Sequence, residues 1–294
     1  MKKNLANKFP RFLKYYYLLR LALETKHFPP NRSELSYSKE LLYADPHDPR
    51  GNSLLRNKGT GQASIKYFWR KALEIYNPSV VIDIGANYGE VLLDAHYPDS
   101  VKHIVGIEAN PYVSKYLERS VAAHTKANRI SIYNNLAGND DTATTTFYID
   151  KKSSGRSTAL KSNFVREPIE IKVQSLRVDK LVMNLSKDGP IIFKVDVEGF
   201  EPFVLQGMTK LFKNGRDMVG CIEFNLASLE KNDINVEDYL SFLEQFFTLA
   251  ALQKDGSAKH IERLSIKNLK KHFNNKYTEG DLLLFGSQRL AELY

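Results

Sequence analysis

From about residue 61 onward, short apolar runs alternate with amphipathic stretches, and this alternation limits the fold more than any other feature of the chain. "SVVIDIG", "VKHIVGIEA", "RISIYNNLA", "IIFKVDVEG" and "MVGCIEFN" read as strands. "PYVSKYLERSVAAHT" opens on proline, as first helical turns do, and "EPFVLQGMTKLFKNG" closes on a glycine stop. "GEVLLDAHY" is expected to start a helix. "QASIKYFWRKALEIY" carries Ile65, Phe68, Trp69, Leu73 and Tyr76 at helical spacing. Such a succession predicts a mainly parallel sheet with helices on both faces. Two stretches depart from the rhythm. Residues 139–175 read as strands flanking the polar loop "KKSSGRSTALKSN". The C-terminal part reads as a helix near 236–247, a strand near 248–253 and a closing strand "DLLLFG", with antiparallel pairing at the end.

The first 60 residues differ in kind. A basic, aromatic helix is expected over about 10–26, followed by the breakers "HFPPNRSE" and "ADPHDPRGN". Residues 1–32 hold eight Lys and Arg against Glu24 alone, which is seven of the chain's eight net positive charges. The remainder is close to neutral, so the basic character is no nucleic-acid footprint on the main domain. The division expected is therefore an extension, 1–60, and a main domain, 61–294. "FLKYYYLLRLAL" is too short and too charged to span a membrane, and no small-residue cleavage site follows it. A soluble, cytoplasmic protein is the expectation. Cys221 is the single cysteine, which rules out an internal disulfide and a Cys-based zinc site.

The first strand ends at Ile84, and the turn Gly85-Ala86-Asn87-Tyr88-Gly89 follows. In an open parallel sheet, ligands bind at the carboxyl ends of strands. The turn lacks the central glycine of a dinucleotide fingerprint, and the Lys and Ser/Thr of a phosphate-binding loop. Asp83 beside it would repel a pyrophosphate and attract a cation. The sulfonium and ammonium of S-adenosylmethionine suit that acid. Glu108 ends the second strand 25 residues after Asp83, near the spacing at which an acid holds ribose hydroxyls. Leu136 and Ala137 in "NLAGND" fall beside the adenine by topology.

"FKVDVEGFE" sets Lys194, Asp196 and Glu198 at alternate positions, which on a strand share one face. Charges at the end of a central strand are costly unless they meet a ligand or each other. The structural alternative is a Lys-Asp pair with a solvated Glu capping the next helix. Glu223 and Asn225 end the following strand, so Asp196, Glu198 and Glu223 are expected around one pocket. A carboxylate there can take a hydroxyl proton or orient the hydroxyl. Three acids can also hold a divalent metal, and the spacing does not decide; no residue is assigned as a metal ligand. The seven histidines are scattered, and only His96 and His124 fall where they would reach a pocket rim.

"VIDIGANYGE", "GIEANP", "NNLAGND", "FKVDVEGFEPFVLQG", "CIEFN" and "GDLLLFG", in this order, resemble the FkbM-type S-adenosylmethionine-dependent methyltransferases over residues 78–287. The resemblance implies the class I methyltransferase fold, Rossmann-like, with a seven-stranded sheet whose last strand is antiparallel. It implies O-methylation, often of sugar hydroxyls in polysaccharides, glycolipids or natural products. It places Asp83, Gly85, Asn87 and Gly89 in the cofactor turn, Glu108 at the ribose and Ala137 near adenine. Lys194, Asp196, Glu198 and Gly199 form the second motif, and residues 153–158 match a serine-rich loop over the pocket. Tyr88 and Glu90 fall where the family varies. Residues 1–60 lie outside the resemblance; a cap, a dimer contact or an anionic membrane surface are the roles open to them. A nucleic-acid 2'-O-methyltransferase and a non-catalytic binding protein are the alternatives. The first is disfavoured by the near-neutral domain, the second by the intact Asp83, Glu108 and Asp196.

Overall fold

The computed structural model describes residues 16, 19, 20, 23, 30–164, 167–273 and 278–294. The helix expected over 10–26 falls almost wholly outside them. The described chain opens with a hairpin, β1 (Arg32–Glu34) and β2 (Leu41–Tyr43). Helix α1 (Pro49–Asn57) follows. "ADPHDPRGN", read from sequence as a break, starts this helix instead. Asp48 is its N-cap and accepts from the amides of Arg50 and Gly51, and Pro49 sits where its missing N–H costs nothing. Helix α2 (Ala63–Tyr76) buries Phe68, Trp69, Ala72 and Leu73, the face its periodicity predicts. Leu35, Leu42, Leu54 and Leu55 pack into the same core cluster as α2.

The main sheet uses β3 (Val80–Ile84), β4 (His103–Ile107), β5 (Ile130–Tyr133), then β9 (Ile191–Val195) and β10 (Met218–Asn225), all parallel. Between β5 and β9 the chain builds a small second sheet from β6 (Leu136–Ala137), β7 (Thr144–Ile149) and β8 (Ile169–Leu176), in the order β6-β8-β7. After β10 come β11 (Thr248–Leu252), β12 (Ala258–His260) and β13 (Glu279–Phe285). The full order is β12-β11-β13-β10-β9-β3-β4-β5, with β13 antiparallel to both neighbours. It is the mixed sheet of a class I methyltransferase fold, flanked by helices such as α3 (Pro111–Ala122) and α4 (Val178–Leu185). An eighth strand is added. β12 folds back on β11 through a turn in which Gly256 N bonds to Gln253 O, and all three of its residues are exposed. Such a polar edge strand has no apolar pattern by which to read it from sequence.

β3 is flanked on one side by β4 and on the other by β9, so the crossovers diverge there. This switch point opens a crevice at the carboxyl ends of β3, β4 and β9, where doubly wound sheets bind ligands. The helix expected from "GEVLLDAHY" does not form. Residues 91–95 are all buried, not buried on one face. Asp94 is pulled inward by the amides of Tyr37 (3.0 Å) and Ser38 (2.9 Å) and by Lys66 and Arg70, both at 2.8 Å. "EPFVLQGMTKLFKNG" forms two short helices, α5 (Glu201–Gln206) and α6 (Thr209–Phe212), in place of one.

Candidate active site

The turn after β3 is shaped by close backbone packing. Asp196 N bonds to Ile84 O (3.1 Å), and Gly85 N bonds to Ile107 O (2.9 Å). A Cβ on Gly85 would lie 1.9 Å from Asp196 O, and its φ is +75°. Only glycine fits there. Asn87 and Gly89 also have positive φ.

Glu108 holds this turn in place. Its Oε2 accepts from Asn87 N and its Oε1 from Asn110 N, each at 2.8 Å. Burial pushes its carboxyl up to about 7, against the pull of those two amides. Each oxygen keeps a lone pair for a further donor.

Asp83, Lys194 and Asp196 form a buried chain of charge. Asp83 and Lys194 face each other across β3 and β9, and Lys194 Nζ lies 3.2 Å from Asp83 Oδ1 and 3.3 Å from Asp196 Oδ2. Burial alone would lower the ammonium, but Asp196 and Asp83 hold it above its ordinary value. Burial pushes Asp83 up, and Lys194 and the Leu92 amide pull it back. Asp83 Oδ2 and Asn87 Oδ1 make no hydrogen bond within the protein, and both residues line the cavity. Two orphaned acceptors beside a glycine turn suit an incoming cationic donor. Lys194→Met should destabilise the fold by about 3–5 kcal/mol, because it leaves Asp83 buried without a counter-charge. Urea unfolding measures this, and adding Asp83→Asn to the variant should recover much of the loss.

The cavity has a volume of about 280 Å³. Glu108, Leu136, Ala137, Ala109 and Phe147 line one end, and Asp196, Glu198 and Glu223 the other. Every cofactor and catalytic residue expected from sequence except Gly89 lines it. Gly89 sits behind the turn, against Leu117 and Leu93. Glu198 arrives differently from the strand alternation predicted. β9 ends at Val195, and Glu198 has φ +57° in the turn that follows. Glu198 is also not a solvated helix cap. α5 has no side-chain cap; Glu201, its first residue, instead braces the preceding turn, its Oε1 accepting from Val197 N (2.9 Å) and Gly199 N (3.2 Å). Burial, with Asp196, Glu201 and Glu279 adding to it, pushes Glu198 up to about 8. Burial and the nearby carboxylates push Glu223 well above its ordinary value. Asn225 is spent on capping α7 (Leu226–Lys231), its side chain accepting from Ser228 N. Among the described residues, no group of three or more His, Cys, Asp or Glu is arranged to hold a metal ion. His96 and His124 do not line the cavity: His96 packs on Tyr37, and His124 lies 3.9 Å from Glu40.

Several lining residues were not legible. Gln62 donates to Asp196 Oδ2 (3.0 Å), and Arg50 and Glu90 form an ion pair at the cavity wall. Both Gln62 and Arg50 come from before β3. The Asp-Pro pair at 48–49 is a helix-start signal that the reading of this stretch as a break passed over, and Gln62 precedes a helix whose period says nothing of the site.

The sheet order, the turn at its switch point and the acids at its strand ends define a class I methyltransferase, whose cofactor is S-adenosylmethionine. The profile of the methyltransferase FkbM domain matches residues 83–255, more than half of the chain. The chain belongs to the FkbM methyltransferase family. Among solved structures it is similar to methyltransferase FkbM from Methylobacillus flagellatus KT, at 14% identity and a TM-score of 0.40, covering 71% of this chain and 44% of that one. It is also similar to the O-methyltransferase TomG from Streptomyces achromogenes, in complex with S-adenosylmethionine, at 12% identity and 0.41, covering 76% and 80%. A third is the O-methyltransferase from Bacillus cereus, at 12% identity and 0.41, covering 76% and 81%. The chain thus spans less than half the length of the first of these, and at such scores no residue role is carried across. No curated protein matches the chain.

Proposed function

We propose that the protein is an S-adenosylmethionine-dependent O-methyltransferase acting on a sugar hydroxyl of a glycan or glycolipid. The observation that carries the cofactor half is Glu108, fixed by the Asn87 amide of the turn it faces and by the Asn110 amide before α3, with lone pairs left for ribose hydroxyls. Asp83 and Asn87 offer their orphaned oxygens to an ammonium group. Leu136, Ala137 and Phe147 give an apolar wall for a base. When bound, the cofactor supplies an electrophilic methyl group.

The acceptor half rests on Asp196. Lys194 and Gln62 both engage its Oδ2, which fixes the carboxylate and leaves Oδ1 for an acceptor hydroxyl. Asp196 orients that hydroxyl and takes its proton. Glu198, raised by burial to about 8, serves near neutrality as a hydrogen-bonding carboxyl, and burial shifts Glu223 in the same direction. An adjoining cleft of about 960 Å³, lined by Glu198, Glu223, Asn163, Asn225, Ser228 and Phe164, has a polar wall with one aromatic face, and Glu198 and Glu223 are its partners for a polyhydroxylated acceptor. Release of S-adenosylhomocysteine in a screen of nucleotide sugars, lipid-linked sugars and oligosaccharides tests this. Turnover on an RNA or small phenol, with none on sugars, would sink the sugar assignment.

The basic residues 1–32 fit a weak contact with an anionic membrane surface, which would bring a lipid-linked acceptor within reach of a cytoplasmic protein. Among the described residues no helix is long and apolar enough to cross a membrane. Co-sedimentation with phosphatidylserine vesicles, lost on removal of residues 1–29, is the expected result.

Glu108 also makes cofactor binding depend on pH. Its carboxyl, raised to about 7, is protonated below that value in the empty cavity. Ribose hydroxyls donate best to the ionised form, so binding releases a proton and affinity rises as pH rises through about 7. Calorimetry with S-adenosylhomocysteine from about pH 6 to about pH 8 should show this rise, and Glu108→Gln should flatten it.

A further inference from the structure

Tyr88 and Glu90 flank Gly89, the last glycine of the cofactor turn. In this protein both are buried, and both are tied to one helix start outside the family match. Tyr88 Oη donates to Asp48 Oδ2 at 2.9 Å. Glu90 pairs with Arg50.

The same two residues of α1 reach the serine loop. Asp48 Oδ1 accepts from Ser154 N at 3.0 Å, and Asp48 Oδ2 accepts from the Ser154 hydroxyl. Arg50 lies across Gly155, where an added Cβ would come 3.5 Å from its Cδ. The stem of the loop is held by its own strand: Asp150 accepts from Ser153 N and pairs with Arg156, and Tyr148 and Thr158 exchange backbone bonds. The tip depends on α1. Residues 153–157 form part of the cavity wall, and Ser154 and Tyr88 meet at the Asp48 carboxylate.

We propose that Asp48 and Arg50 are positioning residues that anchor the serine loop over the cofactor pocket and hold it in register with the glycine turn. The segment before the family domain thereby completes the cofactor site through Tyr88 and Glu90 on one side and Ser154 and Gly155 on the other. This rests on the reading of the pocket as an S-adenosylmethionine site. A loop anchored by a carboxylate through charge-assisted bonds closes firmly yet reversibly. Cofactor exchange then requires Ser154 to leave Asp48.

Asp48→Asn weakens the anchor more than the helix cap: one oxygen still accepts from Arg50 N, while the Oδ2 that takes the Ser154 and Tyr88 hydroxyls is replaced. Asparagine caps helices as well as aspartate does. Its Nδ2 cannot accept from the hydroxyls of Ser154 and Tyr88, and the charge that strengthens the bond from Ser154 N is gone. Tyr88→Phe removes the tie to the turn alone. Two readouts are needed on the full chain. Amide exchange over residues 150–158, without ligand, should quicken about tenfold in Asp48→Asn, with global stability unchanged. The dissociation rate of S-adenosylhomocysteine should rise by about the same factor, with a smaller rise in Tyr88→Phe. Unchanged exchange in Asp48→Asn would show that the anchor does not exist. Faster exchange with unchanged ligand release would show that the loop does not cover the site. Failure of the wild-type protein to bind S-adenosylhomocysteine would instead overturn the cofactor reading, and the exchange result would still decide whether Asp48 holds the loop.

Discussion

Gly85→Ala should destabilise the protein by about 4 kcal/mol or more and abolish cofactor binding. The added Cβ would sit 1.9 Å from Asp196 O and 2.9 Å from Asp196 C, both backbone atoms of the adjacent strand end. No side-chain rotation relieves such a clash, so either β3 and β9 separate or the turn refolds. The positive φ adds about 1 kcal/mol of its own. Gly215 supplies the control. It has the same φ of +75°, but nothing lies within 4 Å of its Cβ position. Gly215→Ala should therefore cost only about 1 kcal/mol. Urea midpoints of the two variants measure the difference. Equal losses would show that conformation, not the approach of Asp196, makes glycine necessary at 85.

Asp196→Asn should lower turnover by about 10²-fold or more while S-adenosylhomocysteine binding changes little. The amide keeps the shape and can still accept a hydroxyl's bond, but it cannot take its proton. It also removes one of two negative charges facing Lys194, whose pair with Asp83 persists. Loss of the charge should leave the fold standing, unlike removal of Lys194. A parallel fall in cofactor affinity and turnover would sink the assignment, because it would make Asp196 part of the binding wall only. Single-turnover methyl transfer to an acceptor found by the screen, set beside calorimetry, separates the two.

The fold was legible because β3, β4, β9 and β10 are buried on both faces and read as continuous apolar runs. Asp83, Gly85, Asn87, Glu108 and Asp196 were legible for a related reason. Each sits at a strand end or in its turn, and that position alone places it at the crevice. What escaped was non-local or locally ambiguous. Asp48, Arg50 and Gln62 carry no period that points to the site, and Gln62 reaches Asp196 across 134 residues. Residues 90–97 look helical, yet Asp94 draws them inward through partners at 37, 38, 66 and 70. Glu198 seemed to continue a strand, whereas β9 had already ended at Val195. Polar groups seeking buried partners decided these cases, and hydrophobic pattern does not encode such partners.

Calorimetric titration of S-adenosylhomocysteine and then NAD into the wild-type protein and Glu108→Ala tests the central claim most directly. The expected result is micromolar binding of S-adenosylhomocysteine, none of NAD, and a loss of about 10²-fold with Glu108→Ala, as two charge-assisted hydroxyl bonds disappear. Binding of NAD in its place, or S-adenosylhomocysteine affinity indifferent to Glu108, would contradict it.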